Sequence, residues 1–338
     1  MLMIEHILFH NAHLQPSSYL NGWRLCRFPA ETAAGMEPAG KYAAGFADGC
    51  EIRFVTPGEY ARVTLFAEFQ EGSALVYKGN HFYGRYVLRQ DAYTTIMLQD
   101  PPGFAQVDRK FWGQKGFSRD VWRIHLQNCG VVFCGIDAAG AEVRKPGPDE
   151  MPQHNMLVYG SSITQGSSTL VNSCSYTFTA GRLLNADVLN KGMGGSCVME
   201  RSVADYLAEQ SGWDFCLLEL GVNMVKDRFS KEDVKERARY LVEAVLTKHP
   251  GKYVFLTSIY PNYHMYGDDS AAAKTMAFME AVREVHQECG NDHCIWIDGK
   301  DILEDVSGLT SDLLHPSTEG HLMMGVRLAD RIRTYIHE

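Results

Sequence analysis

Asp312 and His315 stand three residues apart in Ser311-Asp312-Leu313-Leu314-His315-Pro316. A candidate nucleophile, Ser162, lies far upstream in Tyr159-Gly160-Ser161-Ser162-Ile163-Thr164-Gln165-Gly166. A serine hydroxyl is a poor nucleophile until an imidazole takes its proton, and that imidazole needs a carboxylate to fix its tautomer. An Asp-x-x-His pair, with proline closing the turn, can supply both partners from one short loop. Each piece also has a plain reading. The pair suits a solvated loop ahead of a helix, and Gly-Ser-Ser suits a polar turn. Only the company the pieces keep gives them weight.

Two further blocks keep that company. Asn190-Lys191-Gly192-Met193-Gly194-Gly195-Ser196 is a glycine-rich loop in which a backbone N–H can approach a substrate with no Cβ in the way. It lacks the GxxxxGK[ST] pattern of a phosphate cradle. Gly221-Val222-Asn223-Met224 presents an amide, Asn223, able to donate to a developing oxyanion. A fourth segment, Ile259-Tyr260-Pro261-Asn262-Tyr263-His264-Met265-Tyr266, could line an acyl or sugar pocket through Tyr260, Asn262, Tyr263 and His264, and could equally be packing.

The elements that must position these residues change in kind near residue 150. Before it, short period-two segments recur between turns, among them 51–55, 62–69, 74–77, 83–88, 93–98 and 121–126, with 131–136 as a last buried strand. That pattern, nearly free of helical stretches, predicts a jelly-roll-like β-sandwich over 1–145. The Pro- and charge-rich stretch 144–152 reads as a linker. From 153 to 338 apolar strand candidates (155–160, 187–189, 215–220, 253–258, 295–298) alternate with helical patterns over 175–184, 231–248, 271–289 and 318–336. Such alternation predicts an α/β domain with a flavodoxin-like, doubly wound, five-stranded parallel sheet. In such a sheet ligands bind beyond the carboxyl ends of the strands. Ser162, the glycine-rich loop and Asn223 all follow strand candidates.

The order Ser…Gly…Asn…Asp-x-x-His along one α/β domain resembles the SGNH (GDSL-type) hydrolases, over roughly residues 153–336. The resemblance implies Ser162 as nucleophile, His315 as base and Asp312 as the acid that orients it. It implies an oxyanion hole built from the N–H groups of Ser162 and Gly195 and the side-chain amide of Asn223. Two positions depart from the family pattern. Ser161 stands where an Asp is expected before the nucleophile, and Met224 where an Asp often follows the Asn. The first change removes a negative charge beside the nucleophile and should alter local loop hydrogen bonding without abolishing chemistry. A β-sandwich ahead of such a domain is similar to certain carbohydrate esterases that remove acetyl groups from plant polysaccharide sugars. The expected reaction is therefore hydrolysis of short acyl esters, acetyl on sugars or oligosaccharides, with no metal or organic cofactor. The alternatives are a lysophospholipase- or thioesterase-type acyl hydrolase and a non-catalytic carbohydrate-binding protein.

Bulk properties agree with an ordinary globular chain. Its 338 residues are 45% hydrophobic and 22% charged, with a net charge of −9. No basic surface is implied, so nucleic acid is not an expected partner. No apolar run is long enough to span a membrane, and the first ten residues do not read as a signal peptide. Nine cysteines without a CxxC pattern or a tight Cys/His cluster fit a reducing cytoplasm. Phe82, Tyr83, Phe111 and Trp112 are candidates for stacking on sugar rings, although most aromatics of a sandwich are core. A homo-oligomer is compatible with an aromatic sandwich face, and nothing in the sequence demands one.

Overall fold

A computed structural model of the chain describes residues 4–113, 115–225, 228–267 and 270–336. Contacts divide it into two compact units. The first comprises Met1–Pro29, Ala44–Gln153 and Asn185–Asp187; the second comprises Ala30–Ala43, His154–Leu184 and Val188–Glu338.

The first unit is a β-sandwich of ten strands: β1 (Leu8–His10), β2 (His13–Pro16), β3 (Trp23–Cys26), β4 (Glu51–Val55), β5 (Tyr60–Glu68), β6 (Gly72–Lys78), β7 (His81–Leu88), β8 (Tyr93–Gln99), β9 (Val121–Gln127) and β10 (Gly130–Asp137). They form two antiparallel sheets, ordered β1-β4-β9-β6-β7 and β2-β3-β10-β5-β8. Alternation sets the facing: Ala61, Val63, Leu65 and Ala67 of β5 and Ile96 and Leu98 of β8 all turn into one core with Ile52, Phe54, Ala74, Val76 and Ile124. Six of these strands, β4 to β9, lie where period-two patterning predicts them, and β10 where the buried run 131–136 does. The three short strands β1 to β3 carry too few residues to show a period. The expected linker does not leave the sandwich at residue 145. Arg144 bridges to Val55, and its guanidinium grips Glu150 at 2.6 and 2.8 Å, so the unit runs to Gln153.

Two short helices, α1 (Ala30–Ala34) and α2 (Pro38–Ala44), interrupt the sandwich sequence, and residues 30–43 group with the second unit. Their few residues give no helical period.

The second unit is built on β11 (His154–Tyr159), β12 (Ala186–Asn190), β13 (Phe215–Glu219), β14 (Tyr253–Thr257) and β15 (Cys294–Ile297), with the order β12-β11-β13-β14-β15. Every pairing from β11 through β13 and β14 to β15 is parallel. This is the flavodoxin-like order expected. All five residues of β13 are buried, as a strand covered on both faces requires. The helices are α3 (Ser162–Gln165), α4 (Tyr176–Leu183), α5 (Arg201–Glu209), α6 (Lys231–Lys248), α7 (Tyr263–Tyr266), α8 (Ser270–Cys289), α9 (Gly299–Ile302) and α10 (Thr318–Arg333). In α6 the buried stripe Val234, Ala238, Leu241, Val242, Val245, Leu246 repeats at helical spacing. Ser230 starts it with a capping box: its hydroxyl accepts from Asp233 N–H, and the Asp233 carboxylate accepts from Ser230 N–H.

Candidate active site

The parallel sheet gathers the candidate residues at one end. β11 stops at Tyr159, and Gly160-Ser161 turns the chain into the one-turn helix α3, whose first residue is Ser162. The Ser161 hydroxyl caps that turn by accepting from Ile163 N–H at 3.1 Å, and Gly166, at φ 98°, closes it. β12 delivers the glycine-rich loop. There Asn190 ties two segments together: its Nδ2 donates to Thr164 O at 2.8 Å, and its Oδ1 accepts from Gly192 N–H at 2.9 Å. Gln165 adds a second tie, its Oε1 accepting from Gly194 N–H at 2.6 Å. β13 delivers Asn223 in the 3₁₀ turn Val222–Met224.

Asp312 and His315 sit on the loop before α10, which is closed on itself like a small hairpin. Leu309 bridges Pro316, Thr310 N–H donates to His315 O at 2.8 Å, and Ser317 N–H donates to Gly308 O at 2.9 Å. Asp312 is the hub of this loop. Its Oδ1 accepts from Leu314 N–H and His315 N–H, both at 2.9 Å, and from the Thr310 hydroxyl at 2.8 Å. Its Oδ2 lies 2.7 Å from His315 Nδ1, and His315 Nε2 lies 2.8 Å from Ser162 Oγ. Partial burial pushes the Asp312 carboxyl upward, but the hydrogen bonds from the His315 ring, the two backbone N–H groups and Thr310 outweigh it. The carboxyl is held far below the usual carboxylate range. This continuous chain of contacts can carry a proton from hydroxyl to imidazole while a fixed anion faces the far side of the ring.

Ser162, Gly195 and Asn223, the oxyanion candidates, all lie on segments that follow strands of the parallel sheet. A Cβ on Gly194 would lie 3.5 Å from Ser162 Cβ, which places the glycine-rich loop beside the serine side chain. Gly195 has φ 69°, and a Cβ added there would meet nothing within 4 Å, so its backbone faces open space. The Asn223 Oδ1 accepts from Cys197 N–H at 2.9 Å, which fixes the amide and leaves the NH₂ end to donate. The loop after β14 is tied to the acid–base loop, because Tyr263 N–H donates to Leu313 O at 2.9 Å. Its four candidates differ in exposure. Tyr260 and Asn262 are buried, and Asn262 serves its own loop, donating to Tyr260 O and capping α7 through His264 N–H. His264 is buried as well, and Tyr263 is 36% exposed.

One residue escaped the sequence reading. Glu219, at the end of β13, is wholly buried beneath the nucleophile turn. Its Oε2 accepts from Ser161 N–H and the Ser161 hydroxyl, each at 2.7 Å, and from the Thr164 hydroxyl at 3.1 Å. Burial raises its pKa to about 7 against the pull of those three hydrogen bonds. Ser161 carries no carboxylate of its own, and a buried carboxyl group delivered by the neighbouring strand takes the hydrogen bonds of its turn instead. A glutamate inside an otherwise apolar strand was the available signal, since a buried acid is expensive without partners.

Elsewhere, the nine cysteines are free, and no group of metal-ligating side chains occurs among the described residues. No described helix is long and apolar enough to cross a membrane. Of the sandwich aromatics, Phe82 and Phe111 are exposed, whereas Tyr83 packs edge-on against Trp122, and Trp112 against His81 and Phe104.

Comparison with known proteins agrees with this frame. The family model described as GDSL-like lipase/acylhydrolase matches residues 153–335. No curated protein sequence matches the chain. Among solved structures, a salicylyl-acyltransferase from a tetracycline biosynthetic pathway superposes with a TM-score of 0.79 at 16% identity, covering 97% of this chain and 94% of its own. A GDSL-like lipase from Bacteroides ovatus gives 0.67 at 18% identity, covering 97% of each chain. A family two carbohydrate esterase from Clostridium thermocellum, solved with cellohexaose, gives 0.63 at 15% identity, covering 97% of this chain and 98% of its own. These likenesses extend over both units, and at such identities they establish a shared two-domain fold. A family match over more than half of the chain settles the rest: this chain belongs to the GDSL-like lipase/acylhydrolase family and is an esterase-type hydrolase.

Proposed function

We propose that the protein is a serine esterase that removes short acyl groups, acetyl above all, from sugars or oligosaccharides. The observation that carries the reading is the unbroken line Ser162 Oγ, His315 Nε2, His315 Nδ1, Asp312 Oδ2, with contacts of 2.8 and 2.7 Å. His315 takes the proton of Ser162 as its oxygen attacks the ester carbonyl. The tetrahedral oxyanion accepts from Asn223 Nδ2 and from the N–H groups of Gly195 and Ser162. His315 then hands its proton to the leaving alcohol, and water releases the acyl group by the reverse path. Asp312 holds the proton on His315 Nδ1, which leaves Nε2 free to accept the serine proton, and then faces the imidazolium that forms. The sugar assignment is supported by whole-chain likeness to carbohydrate esterases. Of the four candidates on the loop after β14, Tyr263 is the one whose ring reaches solvent, and its backbone is fastened to the acid–base loop, so it would touch the acyl or sugar group. Tyr260 and Asn262 would shape the loop from within.

The test is hydrolysis of p-nitrophenyl acetate, butyrate and octanoate, with Ser162→Ala as control. Activity that is highest on acetate and lost in Ser162→Ala supports the reading. Preference for the long chains would move the substrate to lipid-type esters, and activity surviving in Ser162→Ala would remove Ser162 as nucleophile.

A further inference from the structure

The triad accounts for how Ser162 loses its proton but not for what holds the turn that carries it. α3 is a single turn, too short to be stable by itself. Beneath it the packing is unusually close. A Cβ on Gly160 would come within 2.3 Å of Thr164 Oγ1 and 2.6 Å of Glu219 Oε2, so only glycine lets that carboxyl group rise against the backbone here. Oε2 then collects three donors, all from the nucleophile turn: Ser161 N–H, the Ser161 hydroxyl and the Thr164 hydroxyl. Thr164 is itself 2.6 Å from the Tyr176 hydroxyl of α4, so the turn is braced from two sides. We propose that Glu219 is a positioning residue for acyl transfer: ionised, it pins the Ser161–Thr164 turn so that Ser162 Oγ meets His315, and protonation releases that turn. This inference rests on the serine-esterase reading above.

The ionised form is the one the geometry suits. A carboxylate accepts only, and Oε2 is offered three donors, while Oε1 has no hydrogen-bond partner among the described residues. A proton on Oε2 would displace one of the three donors. A proton on Oε1 would be a buried donor with no acceptor. The titratable groups that face Glu219 are Tyr176 from α4, Tyr260 from the loop after β14 and Cys197 from the glycine-rich loop. Burial pushes all three upward, so each stays neutral where the glutamate titrates. His321 of α10, stacked on Tyr176, is pulled down to about 4 by burial and is likewise uncharged at neutral pH. Among the described residues no cation offsets the carboxylate's burial, and burial raises its pKa to about 7.

The experiment follows kcat/KM for p-nitrophenyl acetate against pH in the wild type, Glu219→Gln and Ser161→Ala. Labelling of Ser162 by a fluorophosphonate is read by mass spectrometry in parallel. With two groups that must both be deprotonated, the acid limb of log kcat/KM steepens toward a slope of two in the wild type and falls to one in Glu219→Gln. In that variant kcat drops on the order of 10²-fold with little change in KM, as a displaced nucleophile predicts. Ser161→Ala withdraws one hydrogen bond from the ionised form, so its acid limb moves up by about one pH unit; this variant carries the test if Glu219→Gln does not fold. Normal labelling with an unchanged slope in Glu219→Gln, or an unmoved limb in Ser161→Ala, overturns the positioning role alone. Absence of labelling at Ser162 in the wild type overturns the esterase reading, and Glu219's role with it.

Discussion

A catalytic side chain is only as good as the groups that fix it, and here most of the fixing is done by backbone N–H groups. Asp312 spends one oxygen on its own loop and the other on His315. Replacement by Asn would keep the loop bonds to Oδ1 but present an NH₂ to His315 Nδ1, favouring the tautomer with its proton toward Ser162. Asp312→Asn is expected to lower kcat on the order of 10³-fold with nearly unchanged melting, measured by steady-state kinetics beside thermal unfolding. A large fall in melting temperature with modest kinetic loss would assign Asp312 to the loop instead. Because hydrogen bonds hold this carboxyl so low, acid inactivation at mildly acidic pH cannot come from it. Asn223→Ala should cost kcat on the order of 10²–10³-fold while KM barely moves, since the amide acts on charge that exists only in the transition state; a change confined to KM would count against an oxyanion role. At this scale the sequence marks candidates where chemistry leaves a residue type at a loop, as with Ser162, Asn223, Asp312 and His315, and the structure puts Ser162, His315 and Asp312 in contact. It marked Glu219 only as an acid in an apolar strand, since its role depends on a neighbouring strand being adjacent, and it was silent on Gln165, which looks like any polar residue until it meets Gly194 N–H.

The strands and helices were legible in proportion to their length. The long helices α6, α8 and α10 carry enough turns for a period to emerge, and α6 is bounded by a capping box visible in Ser230 and Asp233. One-turn helices such as α1, α3, α7 and α9 have no such period, and α5, nine residues long, was not anticipated. The capping box gives a prediction for the scaffold. Ser230→Ala should lower stability by about 1 kcal/mol in urea unfolding and leave kcat unchanged, and altered kinetics would mean that α6 reaches the site. Gly160 supplies the opposite case, a position where fold and chemistry are inseparable. Gly160→Ala forces its Cβ onto Thr164 Oγ1 and Glu219 Oε2, so stability should fall by about 1–3 kcal/mol together with kcat. Full activity in that variant would show that the turn tolerates lifting off the carboxylate.

For the molecule as a whole, a buried acid with a raised pKa leaves a mark on stability. Glu219 binds its proton more tightly in the native state than in the unfolded chain, so its contribution is greatest below about pH 4.5 and is lost as pH rises toward 7. The wild type minus Glu219→Gln difference in unfolding free energy should therefore decline by about 3 kcal/mol across that interval. A difference that stays flat with pH in urea titrations would contradict the buried titration. Thiols offer a second global readout. Of nine free cysteines only Cys134, Cys174 and Cys289 are partly exposed, so a thiol reagent should find no more than three sites in the native protein and nine after unfolding. The loop between Leu309 and Pro316 has a consequence of another kind. It holds both the acid and the base within four positions, yet forms no part of the sheet. Loss of one codon between Asp312 and His315 would misplace both groups at once and leave β11 to β15 untouched. One genetic event could thus turn the enzyme into an inert protein that keeps its sheet, and the same loop, exchanged as a cassette, could restore hydrolysis in a single step.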